Sequence, residues 1–304
     1  MVTKTKLIFN PIADMRRAWP IADRLRPMVD QFGGADWSGT VYPTHAAQLA
    51  LQAAQEGYRR VVALGGDGTV HEVVNGLMRV PAEERPELGI VPIGSGNDFA
   101  KVLGVPLKPE EALRRAFLGR PQPVDIGWVR DGGERDEYWV NTMGIGFDAA
   151  VNIRSRRMNF ARGFSVYLLA ALQSILLNFV GPVFDVAIDD QHWRERILMF
   201  TLANGRQEGG GFHVAPRAEL DDGYLEYLTI GKINRLQMLY TMPFVIRGTQ
   251  ERFPYVRMGQ FRRLSLHADR PLQIHLDGEI FAGFDSQIQD LEVEVKPAAV
   301  NVLL

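Results

Sequence analysis

Two periodicities divide the chain. Up to about residue 125, short apolar runs alternate with stretches whose apolar residues recur every three or four positions. KLIFN (6–10), SGTVYPT (38–44), RRVVALG (59–65) and LGIVPIG (88–94) read as strands. The intervals 16–32, 44–58, 69–80, 97–104 and 109–119 read as helices. Pro20 and Pro27 should break the first, Thr44 is placed to cap the second, and Pro109 opens the last at a favoured first-turn position. Regular strand–helix alternation predicts a mostly parallel sheet covered by helices, a Rossmann-like α/β domain over residues 1–124.

Beyond PVDIGWVR (123–130) the period falls to two. WVNTMGIGFDA (139–149), VFDVAIDD (183–190), ILMFTLANG (197–205), GYLEYLTIG (223–231), RRLSLHAD (262–269), LQIHLDGEI (272–280) and DLEVEVKP (290–297) read as strands. In the last of them Leu291, Val293 and Val295 alternate with Glu292 and Glu294. Turn signals such as Arg130-Asp131-Gly132-Gly133 separate some of these strands. This half predicts an antiparallel β-sandwich domain over residues 125–289, interrupted by helical patterns near 160–179 and 234–247. The fold class is α/β plus β.

Composition narrows the chemistry. The 304 residues exceed one ordinary core, in keeping with two domains. A net charge of −2 provides no global attraction to nucleic acid. The absence of cysteine excludes disulfides, thiolate zinc sites and cysteine nucleophiles. The first apolar run, Leu7-Ile8-Phe9, is too short for a signal-peptide core, so a cytoplasmic location is expected. Residues 163–184 carry no charge and are long enough to test as a membrane span, although Gln173, Ser174, Asn178 and Pro182 interrupt them.

The candidate chemistry sits at strand ends. In an open α/β sheet, ligands bind beyond the carboxyl ends of the strands. Gly65-Gly66-Asp67-Gly68-Thr69 occupies such an end and leads directly into a helix. Glycines let a ligand approach backbone N–H groups, and a helix N-terminus favours an anion, so this is a phosphate cradle in outline. An ordinary strand-to-helix turn is the alternative. Two further strand ends strengthen the cradle: Asn10-Pro11-Ile12-Ala13-Asp14, and Gly94-Ser95-Gly96-Asn97-Asp98 after Pro92-Ile93. Asp67 beside a phosphate needs a bridging cation, which Mg²⁺ supplies, or else it caps the following helix. The dinucleotide fingerprint fails at His71, where its third glycine should stand. No Walker loop or nucleophile elbow occurs, and His71-Glu72-Val73-Val74-Asn75 lacks the second histidine of a zinc protease. His71 and Glu72 read as a pair on one helix face.

Taken together, Gly65-Gly66-Asp67-Gly68-Thr69, His71-Glu72-Val73-Val74-Asn75-Gly76, Gly94-Ser95-Gly96-Asn97-Asp98-Phe99-Ala100 and Asp277-Gly278-Glu279 resemble the diacylglycerol kinase / sphingosine kinase-like lipid kinase family, most closely its small soluble bacterial members. The resemblance runs from Asn10 to Glu279. It implies an ATP-binding α/β domain, a β-sandwich lipid-substrate domain, a cleft between them, and a last strand, 290–304, that returns to the first domain. It places ATP on Asn10, Pro11, Asp14, Thr44, Gly65, Gly66, Asp67, Gly68, Thr69, Val70, His71, Gly94, Ser95, Gly96 and Asn97. It makes Glu279 the proton acceptor, with Asp67 and Asp98 acting through Mg²⁺. It also implies a structural Mg²⁺ held by the backbone carbonyls of Glu219 and Tyr224 and the carboxylate of Asp222. Two positions depart from the pattern: Ala13-Asp14 replaces the usual Ser-Gly, and Ser95 stands where threonine is usual.

The expectation is an ATP- and Mg²⁺-dependent lipid kinase acting on a hydroxyl of diacylglycerol or a related long-chain lipid. An NAD kinase-like enzyme and a catalytically silent lipid-binding protein are the competing readings. Arg154, Arg156, Arg157 and Arg162 precede the apolar 163–184 stretch, whose Tyr167, Ala171, Ser174 and Asn178 share one mildly polar helical stripe. Basic residues beside an apolar helix suit peripheral docking at the inner membrane surface; burial against the sandwich is the alternative. A homodimer is compatible with the sequence.

Overall fold

The computed structural model describes residues 3–13, 18–133, 135–158, 164–177 and 179–304, which form two compact units. Residues up to Val124 together with Ala298–Leu304 make the first; Asp125–Pro297 make the second.

In the first unit β1 (Thr5–Phe9), α1 (Ala18–Gln31), β2 (Asp36–Gly39), α2 (His45–Gln55), β3 (Arg60–Gly65), α3 (Asp67–Leu77), β4 (Glu87–Pro92), α4 (Asp98–Val102) and α5 (Pro109–Leu118) follow in order. The strands lie in the order β2-β1-β3-β4, all parallel. Leu7, Ile8, Val61–Leu64, Leu88 and Ile90 are buried as continuous runs, because helices cover a parallel sheet on both faces. Gly76 lets α3 press on α2: a β-carbon there would stand 2.2 Å from Ala47 O. Two expectations need correction. Pro27 sits inside an unbroken α1. The second strand covers Asp36–Gly39 rather than 38–44, since its partner β1 stops at Phe9. Val41 and Tyr42 are then exposed, and Tyr42 stacks on His45 at 4.4 Å in a turn.

The second unit holds β5 (Pro121–Asp131, entered from the first unit), β6 (Asp136–Trp139), β7 (Thr142–Gly146), α6 (Phe147–Ser155), α7 (Phe164–Leu177), β8 (Val183–Ile188), β9 (Gln191–Ala203), β10 (Leu225–Gly231), α8 (Arg235–Arg247), β11 (Val256–Phe261), β12 (Arg263–Ala268), β13 (Ile274–Leu276), β14 (Glu279–Ala282) and β15 (Asp290–Leu303). β9 is long enough to serve two sheets. Its first half pairs with β8, and its second half with β7 and β10. Trp139, Phe184, Phe200, Phe261 and their neighbours fill the sandwich interior. Leu198, Met199, Leu228 and Ile230 face the other way, against Phe147, Ala170, Ala171, Ile175, Met238 and Met242 of the three helices.

Sequence reading missed α6, taking GFDA as strand, although Gly146 at φ 74 turns the chain into a helix buried on nearly every face. It also missed β11 and joined β13 to β14, which Asp277-Gly278 separate. β15 pairs with β12 through Asp290–Glu294 and reaches β4 only later, at Val302. The return to the first unit therefore begins at Ala298, not at residue 290.

Candidate active site

In the first unit β1, β3 and β4 are parallel, so their carboxyl ends share one sheet edge. Asn10 N–H donates to Leu64 O at 3.0 Å and Asn10 Nδ2 to Thr69 Oγ1 at 3.1 Å, tying the first loop to the second. Asn10 Oδ1 accepts from Ile12 N–H across Pro11, a side-chain turn that asparagine favours. Asp14 lies outside the described residues.

The glycines answer first to backbone crowding. A β-carbon on Gly65 would stand 2.2 Å from Thr69 Oγ1, and one on Gly94 2.6 Å from Gly66 Cα, so only glycine lets these loops pass in contact. A β-carbon on Gly96 would lie 2.8 Å from Asp67 Oδ2 and 4.0 Å from Asp98 Oδ2, so both carboxylates flank it. Asp67 begins α3 without capping it. Its Oδ1 instead accepts Phe99 N–H at 3.2 Å in the first turn of α4, bracing one loop against the other. Asn97, at φ 55, closes the third loop by exchanging two hydrogen bonds with Gly94 at 3.0 and 2.7 Å. Asp98 pairs with Lys101 at 3.1 Å, and Ser95 is exposed.

Among the described residues, nothing accepts a hydrogen bond from the amides of Gly66, Gly68, Ser95 or Gly96. These donors, beside helix starts and clear of side chains, fit phosphate oxygens. Two carboxylates around Gly96 fit a Mg²⁺ shared with such oxygens. Thr69, Val70 and His71 are buried, and the Thr69 hydroxyl is engaged by Asn10. Thr44, at φ 70, makes no side-chain cap. The Glu72 carboxylate caps α2 in its place, accepting the Thr44 and Ala46 amides at 2.8 and 3.0 Å. His71 meanwhile neighbours Asn75 on α3. His71 and Glu72 thus have separate roles rather than forming a pair.

Glu279 belongs to the second unit. It follows a two-residue hairpin turn whose members, Asp277 and Gly278, both have positive φ, 52 and 87. The Asp277 carboxylate accepts the amides of Val140, Asn141 and Thr142 at 2.8, 2.7 and 3.2 Å. Arg156, just past α6, donates to Gly278 O at 3.0 Å and grips the Glu279 carboxylate with both arms. His275 lies beneath the turn, buried. Its Nδ1 accepts Gly278 N–H at 3.3 Å, and its Nε2 faces Asp148 Oδ1 at 3.7 Å and Glu208 Oε2 at 3.9 Å. Thr201 donates its hydroxyl to Asp148. Asp148, Glu208 and His275 bring ligand atoms within 4.8 Å of one another, a donor set able to coordinate a metal. The Gly278 contact, however, assigns the neutral ring's proton to Nε2, which then points at the carboxylates and must leave before Nε2 can bind an ion.

The loop expected to hold a structural Mg²⁺ is organised by the protein itself. Asp222 Oδ1 accepts Tyr224 N–H at 3.0 Å and Oδ2 accepts Gln260 Nε2 at 3.2 Å. Buried Asp125 accepts Gly223 N–H at 2.6 Å and donates its own amide to Leu220 O. Glu219 is exposed. Nearby, burial pushes the Glu226 carboxyl up, against the opposing pull of Arg217 and Gln260.

Residues 4–129 match the diacylglycerol kinase catalytic domain, and residues 141–304 match the YegS C-terminal NAD kinase beta sandwich-like domain. A Chromohalobacter salexigens protein named "Probable lipid kinase YegS-like" is 35% identical over 233 residues, 76% of this chain and 73% of that one. The chain belongs to the YegS-like lipid kinase family. The Bacillus subtilis "Diacylglycerol kinase" is 27% identical over 285 residues, 91% of this chain and 89% of its own. Two Bacillus anthracis str. Sterne crystal structures carrying the diacylglycerol kinase name share the fold. One has a TM-score of 0.80 at 22% identity, covering 99% of this chain and 95% of that chain. The other has 0.73 at 20%, covering 99% and 96%.

For this YegS-like chain the structure brings together Asn10, Gly65, Gly66, Asp67, Thr69, Gly94, Gly96, Asn97 and Asp98 in one unit and describes Glu279 in the other. Sequence reasoning missed the setting of Glu279. Arg156, expected from the sequence as a membrane-facing cation, instead sits on Glu279 through contacts 123 residues apart. His275, one residue before Leu276 in HLDGE, was the available signal: a histidine at an inward position of a strand beside a suspected base.

Proposed function

We propose that this chain transfers the γ-phosphoryl group of ATP to a hydroxyl of diacylglycerol or a related long-chain lipid. The observation that carries this is the pair of glycine loops held in contact by Asp67, with four amides left to donate. Phosphoryl transfer asks for positioning and charge neutralisation more than covalent chemistry. The amides of Gly66, Gly68, Ser95 and Gly96 would hold phosphate oxygens, and Asp67 with Asp98 would hold Mg²⁺. The ion, when bound, supplies positive charge to the developing phosphate negative charge. Glu279 would take the proton of the attacking hydroxyl. Arg156 holds that carboxylate in a fixed orientation through both arms of its guanidinium.

The test is a panel of diacylglycerol, sphingoid base, ceramide and NAD, each with γ-labelled ATP, with and without Mg²⁺. Label in diacylglycerol or another long-chain alcohol, dependent on Mg²⁺, supports the reading. Label in NAD alone, or no label anywhere, refutes it.

A further inference from the structure

α7 is apolar on its outer side as well as its inner one. Ala170, Ala171 and Ser174 face the sandwich together with Val166 and Ile175, and Ser174 Oγ finds no hydrogen-bond partner among the described residues. Leu168 packs partly against the core, and the helix's other leucines face solvent. Leu172, Leu176 and Leu177 are exposed, as is Val180 just beyond the helix. α8 continues the patch with Leu236 and Tyr240, and Leu176 and Leu236 keep 67% and 76% of their surface. Arg235 fastens the two helices together, donating to Ile175 O at 2.9 Å and Leu176 O at 3.1 Å. A contiguous apolar patch of this kind marks a docking surface rather than ordinary exposure.

Charge decides what docks there. Between Asp148 and Asp185 the chain has four arginines and no acid, and between Glu226 and Glu251 one lysine, two arginines and no acid, in a chain of net charge −2. Arg157, Lys232 and Arg247 are exposed, and none pairs with a carboxylate among the described residues. A second copy seated on the same face by two-fold symmetry would oppose these cations to themselves. No described helix is long and apolar enough to cross a membrane.

We infer that the α7–α8 face docks on a bilayer surface containing anionic lipid, leucines entering the acyl boundary and cations meeting the headgroups. The choice of a bilayer rests on the lipid-kinase reading, since that substrate resides there. It differs from the docking site expected from sequence by adding α8 and by removing Arg156, which serves Glu279.

The experiment is vesicle co-sedimentation of the full chain without ATP or substrate, on phosphatidylcholine with and without phosphatidylglycerol. Two double variants on exposed positions, Leu176→Glu with Leu236→Glu and Arg157→Glu with Lys232→Glu, are compared after thermal melts establish folding. Wild type should bind phosphatidylglycerol vesicles, more weakly as salt rises, and each double variant should bind about tenfold less or worse. Phosphorylation of a short-chain, water-dispersed diacylglycerol should be unchanged in both variants. Absence of wild-type binding, or full binding by the leucine variant, overturns the proposal. So does a wild-type dimer in sedimentation equilibrium that the leucine variant dissociates. Vesicle binding with no lipid ever phosphorylated would instead sink the kinase reading and leave the surface standing.

Discussion

Asp277→Asn isolates the carboxylate that holds the turn before Glu279. Asparagine accepts the positive φ of 52 at this position, so shape and backbone are retained. What changes is acceptor capacity. One oxygen of Asp277 serves Asn141 and Thr142, the other Val140. An amide can keep one side only, and its NH₂ must face an N–H on the other. One buried donor left unpaired costs about 1–3 kcal/mol, and turning the remaining charge-assisted bonds neutral costs about 1 kcal/mol each. Burying a neutral group instead of a charge offsets part of this, leaving about 2–4 kcal/mol. At roughly 2–4 °C per kcal/mol the melting midpoint should fall by about 4–16 °C. Scanning calorimetry measures that, and steady-state kinetics should show kcat reduced with the KM for ATP unchanged, because the first unit's loops keep their contacts. A midpoint within about 1 °C of wild type together with unchanged kcat would show that Asp277 does not hold the turn.

Glu279→Gln should lower turnover by about 10²-fold or more while isothermal titration finds ATP binding intact; near-wild-type turnover removes Glu279 from the reaction. Gly94→Ala places a methyl against the Gly66 backbone, so nucleotide affinity measured by titration should drop by about tenfold or more even where the melt shows a folded chain; unchanged affinity would separate the loop contact from the cradle. The Tyr58 hydroxyl, hydrogen-bonded to Asp36 at 2.6 Å and buried, has its pKa pushed up to about 12 from 10.0. The folded state then holds this proton when the unfolded state has lost it, so the stabilisation is complete below pH 10 and disappears between about pH 10 and 12. Denaturant melts across that window should show Tyr58→Phe losing less stability than wild type; parallel losses would reject the linkage.

The fold was legible where one element had one job. Buried parallel strands show as continuous apolar runs, and β12 and β15 alternate as half-buried strands do. α6 was not, because a helix buried on every side has no polar face to give it a period. At the candidate site, the glycine loops and Asp277-Gly278-Glu279 were readable as chemistry because such backbone needs particular residues. Their partners were not. Asp67 reaching Phe99, Glu72 capping α2 and Arg156 holding Glu279 are pairings of ordinary polar residues that only the folded chain makes. α7 was readable as unusually apolar, but its placement of Ser174 inside and Leu176 outside was not, since those two positions reverse what side-chain polarity predicts.

β15 gives the chain an order of manufacture. Residues 298–304 supply the strand beside β4 in the first unit, held by Val302 against Leu88, by reciprocal bonds between Leu304 and Arg120, and by Arg85 on Ala299 O. On a ribosome those residues emerge after all of Asp125–Pro297. The first unit's sheet must wait through the whole synthesis of the second with the flank of β4 open, a bare edge of the kind that recruits other chains. A nascent chain paused or cleaved before Ala298 would therefore carry the intact glycine-loop sequence on a sheet lacking its flanking strand. A folded first unit would then require synthesis to run through residues 298–304.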